Sequence, residues 1–157
     1  MTFARLKLVA AVLAFAAWLA WLATAVAHKG TVQIVSPGQL TDATHLVVLA
    51  VTANDAGEVK TAATIVRVLR APEHDPISGE IEVDRLDKAV TPLPVNGSRR
   101  VAAGEHLVPL VKTPFGFRIA GLPRSPGFEG ATLEQPIVYP WTDDVKAQLR
   151  SIGVLKD

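Results

Sequence analysis

Residues 45–70, HLVVLAVTANDAGEVKTAATIVRVLR, decide the fold. His45 to Val51 is a near-continuous apolar run of strand length, and Val59 to Leu69 alternates, with Ile65, Val68 and Leu69 apolar around Arg67. Between them stands Asn54-Asp55-Ala56-Gly57, where Asn and Gly tolerate the positive φ of a tight turn. The pattern predicts a β-hairpin, and a hairpin with one fully apolar arm needs further strands to cover it.

Those strands follow downstream. Pro72, Pro76 and Gly79 mark a loop, and Glu80 to Leu86 (EIEVDRL) then alternates with period two, placing Ile81 and Val83 on one face. A Pro-rich linker (TPLPVNGSRR), in which Asn96-Gly97 suits a tight turn, leads to a fourth strand at Glu105 to Val111. Pro109 lacks a backbone donor, so this strand is expected at an edge or with a bulge. Thr113-Pro114-Phe115-Gly116 turns the chain into a fifth strand at Phe117 to Ala120, and Ile137 to Tyr139 adds a short sixth. Prolines and glycines between Leu122 and Pro140 exclude any longer regular element there.

The C-terminal part reads as a helix over 142–152. Thr142 offers an N-cap oxygen, Asp143 and Asp144 sit where the helix dipole favours anions, and Val145, Leu149 and Ile152 make one apolar stripe. The expected fold is mainly β, a small OB-like or Greek-key barrel of five to six strands with a C-terminal helix, spanning 44–157. The region 28–43, including Thr31 to Val35, reads as a stalk or first strand ending at Ser36-Pro37-Gly38.

Upstream, Leu8 to Ala27 (LVAAVLAFAAWLAWLATAVA) holds twenty residues without a charge after Arg5 and Lys7. Twenty helical residues span about 30 Å, the thickness of a bilayer's hydrocarbon core. Its leucines, valines and Phe15 favour insertion by at most about 3 kcal/mol together. The positive flank, residues 1–7, is expected in the cytoplasm, which puts the β-rich domain on the extracytoplasmic side of a cell (inner) membrane crossed once. A cleaved signal peptide is the alternative, with Ala25-Val26-Ala27 as a small-x-small cut site. Trp18 and Trp21 share a helical face, as do Ala10, Ala14 and Ala17.

The chain has no cysteine, which excludes disulfides, thiol catalysis and thiolate metal sites. From His28 onward there are 14 Lys plus Arg against 15 Asp plus Glu, with no clustered basic stretch of the kind that binds nucleic acid. Arg99-Arg100, Arg67, Arg70, Arg118 and Arg124 read as solvated charges, with a role toward phosphate or lipid headgroups as the alternative.

Thr44 to Leu86, an apolar strand, a turn, an alternating strand ending Val-Leu-Arg and a short Gly-led strand, resembles the opening of the netrin and tissue-metalloproteinase-inhibitor type of OB barrel. The chain departs from that family in lacking every cysteine, including the N-terminal one through which such inhibitors chelate a protease zinc, so inhibition is not carried over. The overall layout resembles small signal-anchored membrane proteins of bacteria.

Candidate chemistry is sparse. His28, His45, His74 and His106 are the remaining imidazole ligands, and none has a partner at i+2 or i+4 that preassembles a zinc site; His45 and His106, both at strand starts, are placed to meet across a sheet. No metal or cofactor is expected. The serines lack a nucleophile-elbow context, and capping accounts for Asp143 and Asp144. No catalytic motif is present, and a non-enzymatic role is expected. Arg124 and Phe128 in LPRSPGF, with Tyr139 and Trp141 in YPW, are the candidate interface, since aromatics beside prolines in irregular loops often anchor partners. The plainer expectation is that these aromatics tuck the arm against the barrel and close an open edge. The function expected is a membrane-anchored extracytoplasmic accessory or interaction domain that contacts the lipid bilayer through 8–27 and another envelope protein through its barrel or arm. A periplasmic ligand-binding module released by cleavage after Ala27 and a small subunit of a larger membrane complex are the alternatives.

Overall fold

The computed structural model describes residues 3–28, 34–95, 97–123 and 135–155. The chain divides into two compact units, one up to Gln33 and one from Ile34 onward. The first holds the helix α1, Phe3–His28, 26 residues long. Its side chains are described at Lys7 and over residues 11–24, and Val12, Leu13, Phe15, Trp18, Leu19 and Trp21 are all exposed. Among the described residues, no helix is long and apolar enough to cross a membrane.

The second unit is a closed five-stranded barrel. Its strands are β1 (His45–Ala53), β2 (Val59–Arg70), β3 (Glu80–Asp84), β6 (Gly104–Thr113) and β7 (Gly116–Ile119). They run in the order β1-β2-β3-β7-β6, and β1 pairs with β6 to close the ring. Every junction is antiparallel except β3–β7, where Val83 pairs with Phe117 and Asp84 with Arg118. This path is compatible with an OB-like barrel. Three register shifts in the β1–β2 ladder give the long hairpin the extra twist that closure needs.

β1 is apolar on both faces because both are covered. Val47, Leu49 and Val51 point into the barrel with Val83, Val108, Leu110 and Ile119. Leu46, on the opposite face, joins Leu107, Tyr139, Val145 and Leu149 in a second core. That core lies beneath two helices, α2 (Pro37–Asp42) and α3 (Asp143–Ser151). In α3, the Thr142 hydroxyl accepts from the Val145 N–H and both acidic residues occupy the first turn, as the sequence pattern predicts.

Two expectations need correction, and the region before β1 is described only in part. The region before β1 holds no strand among its described residues. Ile34 and Val35 are irregular and donate their N–H groups to Gln148 Oε1 at 3.0 and 3.1 Å, and Ser36 then caps α2 with Pro37 in its first turn; Thr31 to Gln33 lie outside the described residues. The Pro-rich linker forms a two-stranded sheet of β4 (Val90–Val95) and β5 (Ser98–Arg100), preceded by a 3₁₀ turn, η1 (Leu86–Lys88); Leu86, Ala89 and Val101, in and beside these elements, plug the barrel core. β6 is no edge strand, since it pairs with β1 on one side and with β7 and β8 (Tyr139–Pro140) on the other. Pro109 is tolerated because its carbonyl accepts from Ala120 N at 2.8 Å, on the side where β7 has ended and β8 has not begun. Its missing N–H faces that gap.

Candidate functional site

Of the four expected interface residues, Tyr139 and Trp141 lie among the described residues. Tyr139 is 1% exposed. Its hydroxyl donates to Gln39 Oε1 and accepts from the Ser36 N–H at 3.1 Å, and burial pushes its pKa above the ordinary phenol value. Gln39, itself fully buried, donates through Nε2 to the Ala120 carbonyl at 2.7 Å and to the Ile137 carbonyl at 3.0 Å. One amide thus pins both ends of the 121–136 arm. Trp141 is half-buried against the second core, with Lys146 Nζ 5.6 Å from its ring centre. Arg124 and Phe128 lie outside the described residues.

The two strand-borne histidines do not meet. His45 pairs with Leu110 and His106 with Leu49, four residues along the same ladder, about 13 Å apart. His106 is buried and its Nδ1 lies 3.2 Å from the Gly104 carbonyl. Burial holds the imidazole below its ordinary value of 6.5, with that carbonyl opposing the shift. Among the described residues no group of three His, Asp or Glu side chains is placed to hold a metal ion.

His45 builds the most connected polar cluster. Its Nε2 lies 3.1 Å from the Asp75 carbonyl and 3.4 Å from Asp75 Oδ2, and its Nδ1 lies 2.9 Å from Thr44 Oγ1. The Lys112 ammonium bonds the other Asp75 oxygen and holds that carboxyl below the usual carboxylate range. Phe117 meets the imidazole edge-on at 5.3 Å. A hydroxyl, an imidazole and a carboxylate in a row have the connectivity of a hydrolase relay. Here the Thr44 oxygen also accepts from the Lys112 N–H at 3.2 Å and lies 3.2 Å from the Leu110 carbonyl. The hydroxyl is tied into the β1–β6 ladder, and the cluster fastens the 71–79 loop to the barrel.

A concave polar surface lies at the barrel end plugged by η1. A depression of about 440 Å³ is lined by Arg85, Asp87, Lys88 and Arg100, with Gln135, Ala89 and Val90. The charged side chains are exposed, while Leu86 and Ala89 between them are buried. Val90 N–H donates to the Pro136 carbonyl at 2.8 Å, and Val138 N–H to the Val90 carbonyl at 3.1 Å. These bonds join the start of β4, next to η1, to the returning chain. Arg85 has φ 60°, the sole non-glycine residue with positive φ among the described residues. Arg99, next to Arg100, turns away and donates Nε–H to the Thr91 carbonyl at 3.2 Å.

Sequence reasoning missed this depression, because Arg85, Lys88 and Arg100 sit on opposite sides of a hairpin that was read as linker. It also missed Phe115, 99% exposed at the tip of the β6–β7 turn; its place in Thr-Pro-Phe-Gly was the available signal. No family model matches the chain, and no curated protein or solved structure shows detectable similarity to it.

Proposed function

We propose that this protein is a membrane-tethered, non-enzymatic interaction domain, with α1 as the anchor and the barrel as the head presented on the extracytoplasmic side. The observation that carries the reading is α1 itself. It is one continuous helix of 26 residues that includes the whole uncharged stretch from Leu8 to Ala27, and its described apolar side chains are exposed. Exposed leucines, phenylalanine and tryptophans on a helix are stable only against lipid or protein.

The head supports binding over catalysis. Its interior is filled by the side chains of two cores, and the Thr44–His45–Asp75 row is occupied by structural bonds. On OB-like barrels the β2–β3 face is the usual oligonucleotide surface. Here β3 exposes Glu80, Glu82 and Asp84 there, which repel a phosphate backbone. Phe115 offers an aromatic contact to a partner protein. The netrin and metalloproteinase-inhibitor resemblance adds a scaffold to this reading and no inhibitory chemistry, because the cysteines are missing.

Carbonate washing of membranes tests the proposal. Retention of an intact chain is expected; release, with a mature N-terminus at His28, replaces it with the soluble ligand-binding module.

A further inference from the structure

We infer that the depression around η1 is a binding site for a single anionic group of the phosphate class, with Lys88 and Arg100 as direct ligands and Arg85 completing the rim. The inference does not depend on α1 crossing a membrane. Three cations and one carboxylate line the depression, for a net charge of +2. Among the described residues Lys88 and Arg100 have no ion pair. Asp87 is the one carboxylate in the lining, and it forms no ion pair with either of them.

The frame is rigid where the charges are. Leu86 and Ala89 are 0% and 1% exposed and anchor η1 in the barrel core, so Arg85, Asp87 and Lys88 project outward from fixed backbone. Arg100 is set opposite them by its pairing with Val90. Cations converging from two elements onto one concavity favour a compact, multiply charged acceptor such as a phosphate over an extended polyanion. The backbone at Arg85 points the same way. A left-handed φ at an arginine costs energy that glycine or asparagine avoids, and such outliers concentrate at ligand sites.

Phosphate in this site comes either free or as a lipid headgroup, and the probes separate the two. The full chain in mild detergent is titrated calorimetrically with inorganic phosphate and with dihexanoyl phosphatidic acid below its micellar concentration. Saturable binding of at least one probe is expected. Equal affinity for both indicates the free ion, and tighter binding of the lipid indicates the headgroup. Lys88→Gln and Arg100→Gln should each weaken binding about tenfold. Asp87→Asn should tighten it several-fold, because it removes the one repelling charge. Lys60→Gln on β2, which removes the same charge from outside the depression, should leave affinity unchanged. Arg85→Gly should weaken binding of the same probes. No saturable binding of either probe overturns the site, as does equal weakening by Lys60→Gln and Lys88→Gln. Intact affinity in Arg85→Gly removes Arg85 from it.

Discussion

Tyr139 and Gln39 show how much of this domain rests on two side chains. Gln39 has every polar atom engaged, two donors to carbonyls on the two ends of the 121–136 arm and one acceptor to a buried phenol. Removing the phenol oxygen strands both Gln39 Oε1 and the Ser36 N–H. Tyr139→Phe should therefore destabilise the domain by about 1–3 kcal/mol with little change in shape, measured by denaturant unfolding. His106 sets a pH dependence. Its folded pKa is depressed below 6.5 by burial, so the unfolded chain takes up a proton first as pH falls. Stability is full above the unfolded value and declines as pH falls from about 7 through the folded pKa. His106→Leu should flatten the part of the melting-temperature profile between pH 7.5 and 5.5 that this group contributes.

At the level of elements, α3 was legible because three independent local signals coincide: the Thr142 cap, the acidic first turn, and the Val145/Leu149 stripe. Leu149 is fully buried against Leu46, Leu107 and Tyr139. Leu149→Ala should cost about 2–5 kcal/mol and loosen α3, read as lost amide protection over 143–151. Trp141 belongs to the same packing, and Trp141→Ala should lower the melting temperature. α2 was not legible. Six residues carry too little periodicity to announce a helix, and its stability comes from outside: the Ser36 cap, and the Arg70 guanidinium, which bonds the carbonyls of Leu40 and Ala43 at its end. β4 and β5 were hidden for a related reason, since prolines at 92 and 94 mask a strand that lies at the margin of the fold.

For the whole molecule, the prediction concerns attachment. A chain retained in carbonate-washed membranes keeps residues 1–27, whereas cleavage yields a soluble barrel lacking them, and intact mass decides between the two. Substituting Phe115 by Ser should leave thermal unfolding unchanged, because the ring makes no core contact, and should reduce co-purification of any membrane partner that the head captures. The strands β1, β2, β3, β6 and β7, the turn at residues 54–57 and α3 were readable from sequence alone, because period-two and helical patterns report which side of a single segment avoids water. The β1–β6 closure, the parallel β3–β7 junction, the central place of Pro109, the separation of His45 from His106 and the convergence of Arg85, Lys88 and Arg100 were decided only by the tertiary structure. Each is a choice of partner between residues far apart in the chain, and a local exposure pattern is the same whichever partner covers it.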